Sequence, residues 1–179
     1  MKIFVSHSLK DQELIKEVKS TLEPHGITLF IAEHNLDMQQ TITQKIETMI
    51  RNCNVALILL TKKAFNSKFV QQEIGYINSC RKPFLQVIEI GLEKKITGFN
   101  FGRDYIVYDP ALPIETLNKI RNTLLAYWRK LEQQRIEQEQ SQLRQQLENI
   151  RIQNEKRENE AKIAIGILAG LLVLGLSSK

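Results

Sequence analysis

The 179-residue sequence predicts an α/β domain built on a five-stranded parallel sheet, followed by a long C-terminal helix. Two observations lead to this fold class. Short β-rich segments alternate with amphipathic segments as far as Trp128, which is typical of a parallel sheet with helices on both faces. From Pro113 to Lys162 there is no Gly and no further Pro, and Gln, Glu and Arg dominate, which favours an exposed helix.

The first strand, helix and second strand are predicted within the first 31 residues. Lys2–Ser6 (KIFVS) is a short β-rich run. Asp11–His25 follows as a helix, because its apolar residues Leu14, Ile15, Val18 and Leu22 share one helical face. Pro24 and Gly26 end this helix, and Ile27–Ile31 (ITLFI) is the second strand.

The middle of the chain repeats the alternation. Thr41 can cap a helix whose apolar stripe is Ile42, Ile46, Met49 and Ile50. Val55–Leu60 (VALILL) is a continuous apolar run, as expected of a strand that is covered on both faces. Ser67 can cap a third helix that continues to about Ser79.

Two more strands and a helix complete the predicted domain. Phe84–Ile90 (FLQVIEI) is the fourth strand, Gly91–Arg103 is irregular, and Tyr105–Tyr108 (YIVY) is the fifth strand. Pro113 then opens the last helix. Five strands in this alternation suit the flavodoxin-like order 2-1-3-4-5. Ligands of such sheets bind outside the carboxyl ends of the strands, here Ser6–Lys10, Ala32–Gln40 and Thr61–Asn66.

Charge and cysteine content narrow the function classes. The net charge is +5, but no stretch combines a concentrated basic patch with interleaved aromatics, so we expect no nucleic-acid partner. Cys53 and Cys80 form no CxxC pair and share no metal-ligand spacing with His, so we expect two reduced thiols and no metal. The polar N-terminus MKIFVSHS is too short for a signal peptide, which favours a cytosolic domain.

An ordered set of segments resembles one family. KIFVSHSLKD at Lys2–Asp11 looks like the first strand and loop of TIR (Toll/interleukin-1 receptor) domains, and GITLFIAE at Gly26–Glu33 like their second strand. TITQKIETMIRNCNVALILLT at Thr41–Thr61 is similar to their second helix and central strand. FVQQEI at Phe69–Ile74, followed by FLQVIEI, resembles the next helix and strand. The resemblance covers residues 1–128.

The resemblance implies one of two functions. Some TIR domains cleave NAD+ at its nicotinamide–ribose bond, and these enzymes share a Glu on the helix that follows the central strand. Glu73 stands at the matching position, and Phe69 stands where these enzymes commonly have Trp. Substrate contacts are expected from His7 and Ser8 after the first strand and from Phe30, Ile31 and Phe69. NAD+ is the substrate in this chemistry, and no metal or other cofactor is required.

The favoured hypothesis is an NAD+ hydrolase or cyclase, with nicotinamide released and ADP-ribose or a cyclic ADP-ribose product formed. Self-association of the TIR domain would activate it, and the resemblance to prokaryotic enzymes implies a role in defence or cell death. The alternative is a non-catalytic adaptor that uses the loop Glu33–Gln40 for TIR–TIR contacts. An enzyme needs the Glu73 carboxylate, whereas an adaptor should tolerate Gln there. A structural protein at a membrane surface would need neither.

The C-terminal third predicts a stalk and an anchor. Residues 129–162 read as a polar helical stalk, either an isolated helix or a weak coiled coil along Ile136, Leu143, Leu147 and Ile150. The uncharged run Ile163–Leu176 predicts a short single-pass membrane anchor, with the TIR domain on the cytoplasmic side because Lys156, Arg157 and Lys162 precede it. The alternative for this run is an apolar tail buried in an oligomer.

Overall fold

The computed structural model describes residues 1–31, 41–96 and 104–176. One parallel sheet has the strand order β2-β1-β3-β4-β5, which confirms the predicted fold class and topology. Its strands are β1 (Lys2–Ser6), β2 (Thr28–Ile31), β3 (Val55–Leu60), β4 (Phe84–Glu89) and β5 (Tyr105–Tyr108).

Five α-helices accompany the sheet in the described residues. They are α1 (Gln12–Leu22), α2 (Ile42–Asn52), α3 (Lys62–Phe65), α4 (Lys68–Ser79) and α5 (Pro113–Leu176). Two short 3₁₀ helices, Glu23–His25 and Glu93–Lys95, lie after α1 and β4. The sequence did not predict α3, and α1 ends earlier than Asp11–His25 because Pro24 and Gly26 convert its last turn to a 3₁₀ helix.

Successive strand residues point to opposite faces of the sheet, and helices cover both faces, so both are buried. On one face Ile3 and Val5 of β1 pack with the apolar stripe of α1 and with Leu117, Ile120 and Leu124 of α5. On the other face Phe4 packs with Ile50 of α2 and with Val70, Ile74 and Ile77 of α4. Every residue of β3 is buried, as its continuous apolar run predicts.

Short polar side chains begin three of the helices. Thr41 and Gln44 form a reciprocal capping box at α2, in which each side chain accepts from the other residue's backbone N–H. Thr61 caps α3 and Ser67 caps α4. The caps at Thr61 and Ser67 fix where the chain turns at the carboxyl edge of the sheet, which is the edge that carries the site.

The chain divides into two compact units, Met1–Trp128 and Arg129–Lys179. The second unit is the continuation of α5, and its side chains are exposed from Gln133 to Ala169. Ion pairs within the helix, such as Arg135–Glu132 and Arg151–Glu155, join residues three or four positions apart.

The predicted membrane anchor is wrong. Across residues 1–31, 41–96 and 104–176, no helix has both the length and the apolar character needed to cross a bilayer. The apolar run Ile163–Leu176 is shorter than the roughly 20 residues of a typical span, and Glu158, Glu160 and Lys162 directly precede it. This finding contradicts the predicted single-pass membrane localisation. It also contradicts the prediction that the C-terminal helix has the membrane as a partner.

Two segments predicted from the sequence lie partly or wholly outside the described residues. The loop Glu33–Gln40, assigned to TIR–TIR contacts in the adaptor hypothesis, lies outside the described residues. The irregular segment Gly91–Arg103 is described only as far as Ile96.

Candidate functional site

A buried carboxylate lies where β1 meets α4. Glu73 belongs to the inward stripe of α4 with Val70, Ile74 and Ile77, and only 6% of its surface is exposed. Ser6 ends β1 on the same face as Phe4, so its side chain points towards α4. The Ser6 hydroxyl donates a hydrogen bond of 2.5 Å to Glu73 Oε2. The contact joins two residues that are 67 positions apart in sequence.

Burial changes the protonation of this carboxylate. Removal from water disfavours the charged form and raises the pKa of Glu73 from 4.5 to about 7, although the hydrogen bond from Ser6 partly opposes the rise. Glu73 therefore exchanges its proton near neutral pH. A carboxyl group tuned in this way is characteristic of functional sites, because structural carboxylates are usually exposed or paired with a cation.

A cavity of about 310 Å³ opens at the carboxyl edge of the sheet next to this helix. One wall is the loop after β1, from His7 to Lys10, and the other comprises Lys63, Asn66, Ser67 and Phe69. Phe69 is 57% exposed and lies one helical turn before Glu73. The structure thus brings His7, Ser8 and Phe69, three of the predicted contact residues, together at one cavity, and Glu73 is not among the described residues that line it.

The imidazole of His7 is held in a defined orientation. Its Nδ1 lies 3.1 Å from the carbonyl oxygen of Val5, and the residue is buried. Because a carbonyl oxygen can only accept, Nδ1 carries the hydrogen of this bond. In the neutral ring Nε2 is then the nitrogen that can accept a hydrogen bond.

The two predicted contact residues of β2 lie on opposite faces of the sheet. Phe30 pairs in register with Phe4 and packs against the core on the α4 face, and Lys2 Nζ lies 5.9 Å from the centre of its ring. Ile31 packs against the core on the α1 face. The structure therefore places Phe30, but not the side chain of Ile31, on the face that carries Glu73.

A second cavity of about 550 Å³ lies at the same edge, outside β1, β3, β4 and β5. It is lined by Asp11, Thr61 and Glu89, all more than nine-tenths buried, together with exposed lysines and Tyr108. The Thr61 hydroxyl donates to Asp11 Oδ2 at 2.7 Å, and the ammonium of Lys63 lies 3.7 Å from Asp11 Oδ1. The position of Asp11 at the start of α1 was predicted, but its side chain bonds Thr61 and makes no capping hydrogen bond.

Glu89 anchors the other side of this cavity. Its Oε2 accepts the backbone N–H of Lys62 at 2.8 Å, and its Oε1 lies 2.8 Å from Lys62 Nζ. The two contacts fix the start of α3 against the end of β4. Burial is the largest cause that raises the pKa of Tyr108, and the surrounding carboxylates add to it (Glu17, Glu89, Asp11 and Asp109). The hydroxyl of Tyr108 therefore stays protonated and can donate a hydrogen bond.

We expect Asp11→Ala to lower the free energy of unfolding by about 1–3 kcal/mol, because the buried Thr61 hydroxyl would lose its acceptor. Lys63→Gln is the matched comparison and should cost less than about 1 kcal/mol, because that ammonium is largely exposed. Urea denaturation of both variants measures the difference. Equal losses would show that the ion pair, and not the buried hydrogen bond, stabilises this corner.

Lys63 lies between the two cavities and lines both. Its ammonium also donates to the carbonyl oxygen of Lys10 at 3.0 Å, which ties the loop after β1 to α3. Among the described residues, no group of three or more His, Cys, Asp or Glu side chains is placed to hold a metal ion.

Sequence reasoning placed Ser6 and Thr61 within the ligand-binding edge but predicted no contact for either, and it missed Glu89. Strand alternation could have indicated the contact of Ser6 with α4, since Ser6 shares a face with Phe4 and stands at the end of the strand. Glu89 carries a weaker signal as a carboxylate that ends a mostly apolar strand. No sequence signal pairs Asp11 with Thr61, because that contact depends on α3.

The fold has counterparts among solved structures. The TIR domain of the Toll-related receptor TRR-2 from Hydra magnipapillata is 15% identical, with a TM-score of 0.52 over 73% of this chain and 94% of that chain. The CMP N-glycosidase BcmB from Clostridium botulinum is 16% identical, with a TM-score of 0.49 over 67% of this chain and 98% of that chain. No curated protein sequence matches the chain significantly.

A match to a family model shows which family the chain belongs to. The family model described as the TIR domain matches residues 3–106, which run from β1 into β5. The match covers more than half of the chain, and the chain therefore belongs to the TIR domain family.

Proposed function

We propose that this TIR protein cleaves NAD+ at the nicotinamide–ribose bond, with Glu73 as the catalytic carboxylate. The observation that carries the proposal is the burial of Glu73 on α4, one helical turn after a residue that lines a cavity. The family resemblance assigns the catalytic Glu of TIR enzymes to this position. No cation among the described residues pairs with Glu73, and burial of an unpaired carboxylate is costly, which favours a functional role over a structural one.

The chemistry suits a single carboxylate. Nicotinamide in NAD+ is a cationic pyridinium, so the bond between its nitrogen and ribose C1′ breaks with the electron pair leaving on nicotinamide. Positive charge then develops on the ribose, and an ionised carboxylate held beside it stabilises that charge. The Ser6 hydroxyl donates to Oε2 of Glu73 and fixes the side chain, and we propose that Oε1 contacts the sugar.

The walls of the smaller cavity supply positioning. Phe69 presents an exposed aromatic face, against which the flat cationic pyridinium can stack. His7 lies in the wall of the cavity, where its ring can contact the ribose or the carboxamide. Ser8 lies beside His7 in the same wall and offers a hydroxyl group.

Two fates are open to the ribosyl group once nicotinamide has left. Water can attack C1′ and lose a proton, which gives ADP-ribose. A nitrogen of the adenine at the other end of the molecule can attack C1′ instead, which gives a cyclic ADP-ribose without uptake of water. We place either reaction in a defence or cell-death response, the role that the family resemblance implies.

The alternative is a non-catalytic adaptor. TIR domains generally self-associate, and an adaptor would use that property without needing the Glu73 carboxylate.

For the enzyme, we propose that self-association of the TIR domain activates NAD+ cleavage.

The experiment is to incubate the purified full-length protein with NAD+ over a range of protein concentrations and to follow nicotinamide release by chromatography. Release with equal loss of NAD+ is the expected result, and the accompanying product distinguishes hydrolysis from cyclisation. The absence of release at every concentration, including with artificially clustered protein, would overturn the proposal and leave the adaptor.

A further inference from the structure

We propose that residues 129–169 of α5 assemble with copies of the same helix from other chains in a parallel bundle of more than two helices. This inference concerns assembly outside the TIR domain, so it goes beyond NAD+ cleavage and stands without it. It starts from an apolar seam that the structure leaves uncovered.

The seam consists of Ile136, Leu143, Leu147 and Ile150. Their side chains are 39–59% exposed on a helix that is otherwise polar in this stretch. The intervals between them are seven, four and three residues, which is the spacing of a and d positions in a heptad. This spacing assigns Leu147 to position a and Ile150 to position d. A stripe of this period on an uncovered helix is complementary to another helix with the same period.

The apolar end of the helix favours a copy of this chain in parallel. Ile163, Ile165, Ile167 and Leu168 are 59–67% exposed and lie on different sides of the helix. In a parallel bundle these residues pack against one another. An antiparallel arrangement would place them against the Gln- and Glu-rich stretch, where polar groups would lose water. An identical chain in parallel therefore covers both the seam and the apolar end.

Polar residues within the seam support a parallel arrangement in which the copies are aligned residue by residue. Gln140 and Asn154 occupy a positions on either side of Leu147. Aligned copies place each amide opposite its own counterpart, so each can satisfy the other's hydrogen bonds. Such pairs specify register while lowering stability, so the assembly should be reversible.

Two features favour more than two helices. Leu at an a position with Ile at the following d position favours trimers and tetramers over dimers, and Leu147 and Ile150 have this arrangement. A helix that is apolar on all sides, as it is from Ile163 to Ala169, also needs several neighbours to cover it. A two-stranded seam would leave most of that surface in water.

The flanking charges are compatible with a parallel arrangement. Glu139 at position g faces Arg144 at position e of the next chain, which is an attractive pair. Glu132 would face Glu137, but Arg135 of the same helix already lies 2.7 Å from Glu132 and offsets its charge. A parallel bundle carries the TIR domains at one end, which raises their effective concentration for each other.

The test is the mass of the full-length protein in solution, measured by light scattering from low micromolar to near-millimolar concentration. We expect the parent to approach three or four copies of the 20.8 kDa chain. The double variant Leu143→Gln, Leu147→Gln should fall to one copy, since Gln keeps the helix propensity but removes the seam. Ile152→Gln is the matched control, because Ile152 is a similarly exposed residue off the seam.

Three outcomes would overturn the inference. The parent could remain a single copy throughout the range. The double variant could stay assembled with its helix content intact by circular dichroism, which would locate the contact in the TIR domain. Ile152→Gln could dissociate the protein as fully as the seam variant, which would show that the seam has no special role. None of these readouts depends on NAD+ cleavage, so failure here is distinguishable from failure of the proposed enzyme.

Cross-linking tests the parallel register. Gln140→Cys should form a disulfide with its own counterpart on oxidation, because aligned a positions face each other. Ser141→Cys, one position round the helix, should cross-link far less, with the parent's Cys53 and Cys80 as background. Equal cross-linking by the two variants, or none by Gln140→Cys in an intact assembly, would contradict a parallel in-register bundle.

Discussion

Replacing Glu73 with Gln should lower kcat for NAD+ cleavage by about two to three orders of magnitude. Gln has nearly the same shape and can still accept the hydrogen bond from Ser6, so the cavity should keep its form. It carries no negative charge, however, and cannot stabilise the positive charge that develops on the ribose. The loss should therefore appear in kcat more than in KM.

The measurement is the initial rate of nicotinamide release by parent and variant at the same protein concentration. Glu17→Gln is the matched control, because it removes an exposed carboxylate from α1 of the same domain. The parent's kcat/KM should also fall as pH drops below about 7, where Glu73 of the free protein becomes protonated, and Glu73→Gln should lose that dependence. Equal rates for parent and Glu73→Gln would move the catalytic residue elsewhere.

The same substitution should make the folded protein more stable, by up to about 3 kcal/mol at pH 8. Burial raises the pKa of Glu73 from 4.5 to about 7, so between these values the folded state holds a proton that the unfolded state releases. The parent thus loses stability as pH rises from about 4.5 to 7, and the loss then stays constant. A neutral Gln does not have this penalty.

Chemical denaturation of parent and Glu73→Gln at one protein concentration, at pH 5 and at pH 8, measures the effect. The gain should be largest at pH 8 and shrink to less than about 1 kcal/mol at pH 5, where the folded parent is protonated and the unfolded parent has only begun to release its proton. A gain that is equal at the two pH values would mean that the amide packs better and that desolvation of the charge is not the cause. A variant less stable than the parent at pH 8 would contradict the prediction.

The sequence predicts the sheet well because its strands carry strong local signals. The bounds of β1, β3 and β5 match the predicted runs, since apolar or β-branched residues end abruptly at polar ones. The helix α3 was missed because four residues cannot show a helical period, and its start depends on contacts of Thr61 and Glu89. The membrane prediction for the C-terminal apolar run was wrong because the absence of charged residues does not by itself make a run long enough to cross a bilayer.

The candidate site could be predicted only in part, because much of it depends on packing between elements and not on local sequence patterns. The family resemblance points to Glu73, and the loop after β1 follows from the rule that ligands bind at the carboxyl ends of parallel strands. The burial that raises the pKa of Glu73 depends on the packing of α4 against β1, and no local pattern reports it. Ile31 was expected at the substrate because it ends β2, but strand alternation turns its side chain to the α1 face.

The parallel pairing of β1 has a consequence for how the domain forms. Its two neighbours in the sheet, residues 28–31 and 55–58, both come later in the chain, and no hairpin can nucleate the pairing. Contacts this distant in sequence form slowly, because the intervening chain must close first. The bond between Ser6 and Glu73 then joins the first strand to a helix that follows the central strand. Recovery of activity after denaturation should therefore follow completion of the sheet, and not the earlier return of helix content.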